Sequence, residues 1–473
     1  MLRPIQTVLL ALVFLQPLAR ADAIDDIVAA EMKRQHSPAI GITVVKDGVP
    51  VKIRGYGIAN LEHGAPATAS TLFQTASVGK QFTAALVMLL VRHGKVRLGA
   101  PVSTYLPDAP AAWKGITVRH LLTHTSGIER TDPAVDLWKD YSEAELLASA
   151  YKLPLKSSPG ERHDYSNLGF HVLGILCSRV GGKHWSDQMR DRIFVPLRMT
   201  DARVISERDV IAGRAAGYDR FNGQFENQRW VAPTQNTTAD GSLYVSSRDM
   251  ARWALALDGQ RFLTAAEKEA MWQPTSLADG SISEYGFGWV IFAESGHRMV
   301  RHRGNWQGFT THLLHMPEDR LTVSVLMNRS NAQPHVIVDR IVAHYFPKLR
   351  KQPVAVPTND EVLRQAIFLR GKLNDWKPTL PFVQTAPRVL QARVAMDSGM
   401  HQFKIGDAEW EIADLGARFD EALAKTGKPQ ALEFKGENLF LEVSQPGEYT
   451  FQLDMRGKGA PVLTITPALQ TAR

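Results

Sequence analysis

A serine three residues ahead of a lysine, Ser77 and Lys80 in FQTASVGKQF, can do acyl chemistry if both side chains share one face of a helix. An unassisted serine hydroxyl is a weak nucleophile at neutral pH, so it needs a base within reach and donors to receive an oxyanion. Lysine at i+3 reaches the hydroxyl and serves as a base when desolvation or a neighbouring cation lowers its pKa. The spacing alone decides nothing, because Ser149-Ala150-Tyr151-Lys152 repeats it in the same 473-residue chain. Context separates the two. Ser149 ends a helical segment just before Pro154, with no catalytic residue type beside it. Ser77 follows two strand-like segments and opens the apolar run FTAALVMLLV, which can hold a nucleophile rigidly.

The elements that must position this pair are legible from hydrophobic period. Ile24 to Gln35 reads as an amphipathic helix, and AIGITVVKDGVPVKIRGYGIAN as two strands joined at Asp47-Gly48. Residues 100–200 are rich in helix and loop, strand character returns over 285–328, and HVIVDRIVAHYF closes this part as a helix. The order predicts an α+β fold: one antiparallel sheet, split in sequence, flanked by helices and carrying an inserted α-helical subdomain over 22–348. LRKQPVAVPTNDE, within 349–363, reads as a linker. Short strand candidates from 364 to 473 predict a small all-β sandwich.

Composition excludes several classes. MLRPIQTVLLALVFLQPLARADA joins a basic start, an apolar segment and Ala19-Arg20-Ala21, the pattern of an export signal. Residues 1–21 are therefore expected to be a signal peptide and the mature protein periplasmic or secreted, a retained anchor being the alternative. The single cysteine, Cys177, rules out an internal disulfide and reads as a buried small hydrophobe in GFHVLGILCSRV. A formal charge of +7 is dispersed, with no basic run dense enough for nucleic acid. No His, Asp or Cys cluster has metal-ligand spacing, and neither metal nor cofactor is expected.

Five blocks in order, GYGIANLEHGAPATASTLFQTASVGKQFTAALVMLLV, VRHLLTHTSGI, HDYSNLGFHVLGILCSRVGG, GSLYVSSRDMARW and VRHRGNWQGF, resemble the serine β-lactamase and penicillin-binding superfamily. The resemblance is to its class C β-lactamase-like branch, which also holds D-alanyl-D-alanine carboxypeptidases, D-aminopeptidases and esterases. It implies a β-lactamase/DD-peptidase-like fold with Ser77, Lys80, Tyr165 and His302 catalytic. Tyr165 of Tyr165-Ser166-Asn167 would be the base toward Ser77 and later the acid to the leaving group, with Asn167 hydrogen-bonding substrate. His302-Arg303-Gly304 stands where the family has K-[ST]-G. There Gly304 would let substrate backbone approach, the Asn305 amide would join that of Ser77 as an oxyanion donor, and Arg303 would hold a substrate carboxylate in place of the missing hydroxyl. A literal Lys425-Thr426-Gly427 lies in a polar turn and is read as a helix stop. His124 is expected to order its loop.

AIFLRGKLNDWKPTLPF, HQFKIGDAEWEIADLG and GEYTFQLDMRGKGAPVLTI are similar to the immunoglobulin-like early-set domain of pullulanases. That similarity implies a polysaccharide contact through Trp376 and Trp410, although both read better as core anchors. The whole points to an exported serine hydrolase that forms an acyl-enzyme on Ser77. It would take a small-molecule or peptide substrate with an ester or amide bond, first as a D-amino-acid peptidase or esterase, then as a β-lactamase. A non-catalytic envelope or glycan-binding protein is the reading from another class.

Overall fold

A β-branched run without polar alternation suits a strand buried on both faces, and AIGITVVK forms one, β1 (Ala39–Lys46), in which every residue but the last is buried. The computed structural model describes residues 22–129, 135–221, 223–350, 356–418, 421–457 and 459–468. The expected signal peptide and residues 351–355 of the expected linker lie outside them. Asp47 and Gly48, at φ +52° and +74°, make the two-residue turn into β2 (Val49–Asn60). Strand β3 (Ala65–Pro66) extends that edge, and four strands return far along the chain: β4 (Val290–Glu294), β5 (His297–Trp306), β6 (Phe309–Met316) and β7 (Leu321–Met327). Together they make one seven-stranded antiparallel sheet, ordered β4-β5-β6-β7-β1-β2-β3. The sheet split in sequence is present, closed by β1 against β7 with Ile40 opposite Met327.

The longer helices are α1 (Ala23–Arg34), α2 (Lys80–Arg92), α3 (Glu143–Tyr151), α4 (Asn167–Gly181), α5 (Ser247–Asp258) and α6 (Pro334–Tyr345). Alternation along β1 assigns them to faces. Ile40, Ile42 and Val44 share a core with Val28 of α1 and Ile337, Val338 and Ile341 of α6. Each such side chain contributes about 1.5–3 kcal/mol when fully buried. The other face meets α5: Thr43 donates its hydroxyl to the Ser247 carbonyl at 2.7 Å, and Val45 packs with Ala251 and Ala254. Gly41 is required there, since a Cβ would lie 2.8 Å from Ser247 Oγ.

Helix α2 is buried along Lys80–Leu90 and lies in the principal core with α4, beneath the helical subdomain inserted between β3 and β4. A helix apolar on every side belongs in such a place.

From Phe368 to Pro467 the described residues form, as expected, a β-rich unit of eleven strands in one hydrogen-bonded sheet around its own core, with one 3-10 turn, Lys372–Asn374. Gln430–Phe434 pairs with both Asp414–Ala417 and Val462–Pro467, which joins what would otherwise be two sheets. Phe403 and Phe451, from the two halves, meet edge to face at 5.3 Å.

Candidate active site

The chain entering Ser77 is pinned before the serine is reached. Thr75 donates its amide to the Leu243 carbonyl at 2.9 Å and its hydroxyl to Gly241 O at 2.8 Å, while its own carbonyl accepts from Thr311 Oγ1 at 2.6 Å. Ala76 is then held at φ +46°, a left-handed conformation that costs a residue with a Cβ about 1–2 kcal/mol. Two close neighbours keep it there. A Cβ on Gly241 would lie 2.2 Å from Ala76 O, and one on Gly304 would lie 2.4 Å from Thr75 O and 2.9 Å from Ala76 Cβ. Gly304, expected to let substrate approach, is thus demanded by the protein's own turn. Ser77 follows in a 3-10 turn, Ala76–Gly79, rather than in the α-helix itself, which begins at Lys80.

Lys80 is fully buried, and its Nζ lies 3.0 Å from Ser77 Oγ, 2.7 Å from Asn167 Oδ1 and 2.8 Å from Asp240 O. Two of these partners, an amide oxygen and a peptide carbonyl, can only accept. They fix two N–H directions and leave the third position of nitrogen facing the serine. That geometry serves an ammonium donating to Ser77 and equally a neutral amine whose lone pair receives the serine proton.

The Y-x-N spacing works through a helix start. Ser166 is the N-cap of α4, accepting from Gly169 N at 3.1 Å, so Asn167 opens the helix and Tyr165 stands just outside it. The Tyr165 ring centroid is 4.9 Å from Lys80 Nζ, but its buried hydroxyl has no hydrogen-bond partner among the described residues. Lys80, and not Tyr165, holds the Ser77 hydroxyl in this state.

His302 is tied into a directed chain that no motif announced. Ser166 N–H donates to His124 Nδ1 at 3.1 Å, which leaves His124 Nε2–H to donate to the Tyr285 hydroxyl at 3.2 Å. Tyr285 donates in turn to His302 Nε2 at 2.8 Å, and His302 Nδ1–H donates to Arg303 O at 2.6 Å. Burial, then Lys80, pulls the His302 imidazole down to about 3 and holds His124 well below its ordinary value. Burial pushes Tyr285 well above its own. Both imidazoles are therefore neutral near pH 7. His124 orders its loop, as expected, with φ +56° and its ring 4.1 Å from that of Tyr165.

Strand β4 pairs with β5 only as far as Arg301, so residues 302–306 present an open edge beside Ser77. The cavity at this edge is lined by Ser77, Asn167, Asn305 and Trp306, and by His171, Gln235 and Asp240, which sequence reasoning missed. Arg303 does not line it. Side chains alternate along a strand, and Arg303, paired across the sheet with His312, has Arg301 and Asp339 as its charged neighbours. Its expected grip on a substrate carboxylate has no geometric basis. Lys425-Thr426-Gly427 lies in the C-terminal unit, exposed and in a turn with Gly427 at φ +75°. No metal-binding cluster is found among the described residues.

Asp240 lies in the turn between Thr238 and Leu243. Burial works to raise its carboxyl, yet His171, Lys80 and the Thr238 hydroxyl hold it well below the usual carboxylate range.

Residues 24–345 match the family model described as Beta-lactamase. The chain is 28% identical over 295 residues to penicillin-binding protein 4* of Bacillus subtilis (strain 168), covering 58% of this chain and 64% of that one. To the D-aminopeptidase of Gluconobacter oxydans (strain 621H) it is 26% identical over 318 residues, covering 64% and 58%. The chain thus spans less than two thirds of the length of these curated relatives. Among solved structures, the octameric penicillin-binding protein homologue from Pyrococcus abyssi aligns with TM-score 0.64 at 22% identity, over 93% of this chain and 99% of that one. A D-amino acid amidase from Ochrobactrum anthropi SV3 aligns with TM-score 0.60 at 24% identity, over 69% and 98%.

Proposed function

The chain belongs to the beta-lactamase family, and from that premise we propose that it is a serine hydrolase acting through an acyl-enzyme on Ser77, on amide or ester bonds of D-amino-acid derivatives. The observation that carries this reading is the placement of Lys80 Nζ 3.0 Å from Ser77 Oγ with its other two hydrogens directed at acceptors. In acylation Ser77 Oγ bonds to the substrate carbonyl carbon while its proton passes to Lys80. The bond to the leaving amine or alcohol then breaks as that group takes up a proton, a role assigned to Tyr165, whose ring lies 4.9 Å from Lys80 Nζ. Water reverses the sequence and frees the acid. The amides of Ser77 and Asn305 are assigned to the oxyanion, and Asn167, fixed by Lys80 through Oδ1, has its Nδ2 free to donate to substrate. His302 is a positioning residue for the β5 edge.

Preference for D-amino-acid amides and esters is supported by the names of two relatives, a D-aminopeptidase and a D-amino acid amidase. For the C-terminal unit we propose a structural role. The Arg370 guanidinium covers one face of the Trp410 ring at 4.1 Å, so that face is already occupied by the protein.

Intact-mass and peptide mass spectrometry after incubation with a fluorophosphonate and with a labelled penicillin tests the reading. Adduct on Ser77, absent from Ser77→Ala and retained in Ser149→Ala, is expected. Adduct retained in Ser77→Ala refutes it.

A further inference from the structure

The cavity beside Ser77 contains a carboxylate that neither nucleophile nor base uses. The backbone of Asp240 serves Lys80, but its side chain is held separately: Oδ1 accepts from Thr238 Oγ1 at 2.7 Å and from His171 Nε2 at 3.1 Å. No donor among the described residues reaches Oδ2, and 19% of the side chain remains open, at the cavity that Ser77 also lines. His171, itself 5% exposed, leaves Nδ1 buried without a partner among the described residues. No lysine or arginine lines this cavity. A fixed carboxylate with an unfilled oxygen repels an anion, is desolvated at a cost by a neutral apolar group, and is satisfied by a cationic N–H donor.

The distance from the reacting atoms restricts where that donor sits on the substrate. Asp240 O and Ser77 Oγ are both bonded to one nitrogen, Lys80 Nζ. Asp240 is thus anchored through its backbone to the same nitrogen as Ser77 and lines the same cavity, and the amine of a substrate nearest to the carbonyl under attack is an α-ammonium, two bonds from that carbon. We propose that Asp240 is a specificity-determining residue that binds a free ammonium group on the acyl side of the substrate, so that the site takes amides or esters of amino acids, or of peptides with an unblocked N-terminus. The inference rests on Ser77 being the acylated nucleophile.

The test compares kcat/KM on a D-amino-acid p-nitroanilide bearing a free amine with its N-acetyl counterpart, using the full chain and Asp240→Asn. The unsubstituted protein should prefer the free amine by about tenfold or more, the scale of a hydrogen bond to a charged group. The preference should fade as pH rises through the substrate's own ammonium pKa, about 8. In Asp240→Asn the ratio should collapse toward one, whatever happens to either absolute rate. A ratio at or below one in the unsubstituted protein overturns the proposal. So does an unchanged ratio in Asp240→Asn with both rates reduced, which would mean that the carboxylate only orders the turn around Lys80. Protection of Ser77 from fluorophosphonate by the free D-amino-acid amide and by its N-acetyl form gives the same comparison without turnover, and equal protection by both also overturns it. Failure of Ser77 to label at all would instead remove the nucleophile reading, and this proposal with it.

Discussion

Tyr285→Phe is the most informative single change to the scaffold, because the side chain serves two imidazoles and nothing else can replace it. Its hydroxyl accepts from His124 Nε2–H and donates to His302 Nε2. A change of tautomer cannot rescue either ring. His124 Nδ1 is committed to the Ser166 amide and His302 Nδ1–H to the Arg303 carbonyl, so flipping a proton breaks one bond to mend another. Phenylalanine therefore leaves one buried donor and one buried acceptor unmade. At about 1–3 kcal/mol for each orphaned group, the loss comes to about 2–6 kcal/mol. Urea unfolding followed by tryptophan fluorescence measures it. The double variant Tyr285→Phe/His302→Leu should be less destabilised than the sum of its parts by at least about 1 kcal/mol, since leucine removes the acceptor that phenylalanine orphans. Because His302 sits on the β5 edge beside Asn305, turnover of p-nitrophenyl esters should fall in the single variant as well. A loss below about 0.5 kcal/mol, or an additive cycle, refutes the directed chain.

Tyr165→Phe should lower kcat by about 100- to 10,000-fold while the urea midpoint holds or rises, because its buried hydroxyl has no partner among the described residues to lose; a large stability loss with activity intact would contradict this. Gly241→Ala, which drives a Cβ to 2.2 Å from Ala76 O, should displace the turn before Ser77 and lower kcat about 100-fold, a result checked by steady-state kinetics on an ester substrate. Stability should decline with acid: burial first, then nearby cations, holds His302 and His315 at about 3 and His124 and His312 well below their ordinary value. The folded state stays neutral where the unfolded chain takes up protons, so this stability is complete above about pH 6.5 and is lost toward pH 3, each group adding up to about 1.4 kcal/mol per pH unit. Urea midpoints across that window measure the slope, which His312→Leu should flatten, and an unchanged slope in that variant would refute the assignment.

The parts of this site that could be read from the chain are those in which neighbouring residues carry the geometry. Ser77 and Lys80 stand one 3-10 turn apart at the entry to α2, and Tyr165 and Asn167 flank a serine cap, so each pair is legible at short spacing. Asp240 and His171 meet only in the folded insertion, and Tyr285 meets His302 through the approach to the β4–β5 pairing; no local spacing marks either contact. Arg303 is a different case. The strand containing it was recognised, and strict alternation between His302 and Gly304 already argued that Arg303 faces away from them. The all-β character of the C-terminal unit followed from short strands between turns, whereas the pairing of Gln430–Phe434 with strands on both sides is a long-range choice that turn spacing does not encode.

The pairing of β1 with β7 also sets a clock. Ile40 has its partner in Met327, so a ribosome must add nearly the whole of the catalytic unit before the central strand can be covered. At about 5–20 residues per second that wait is on the order of 15–60 s. Throughout it β1 can pair only with β2, and its other edge, meant for β7, stays open and of the type that associates with other chains. The same delay withholds β5, which carries Gly304 and Asn305, until the carboxyl-terminal strands emerge. The nascent protein can therefore carry its serine for most of its synthesis without a competent catalytic centre, and its yield in a cell should respond to chaperones that shield the amino-terminal hairpin more strongly than to any single core substitution.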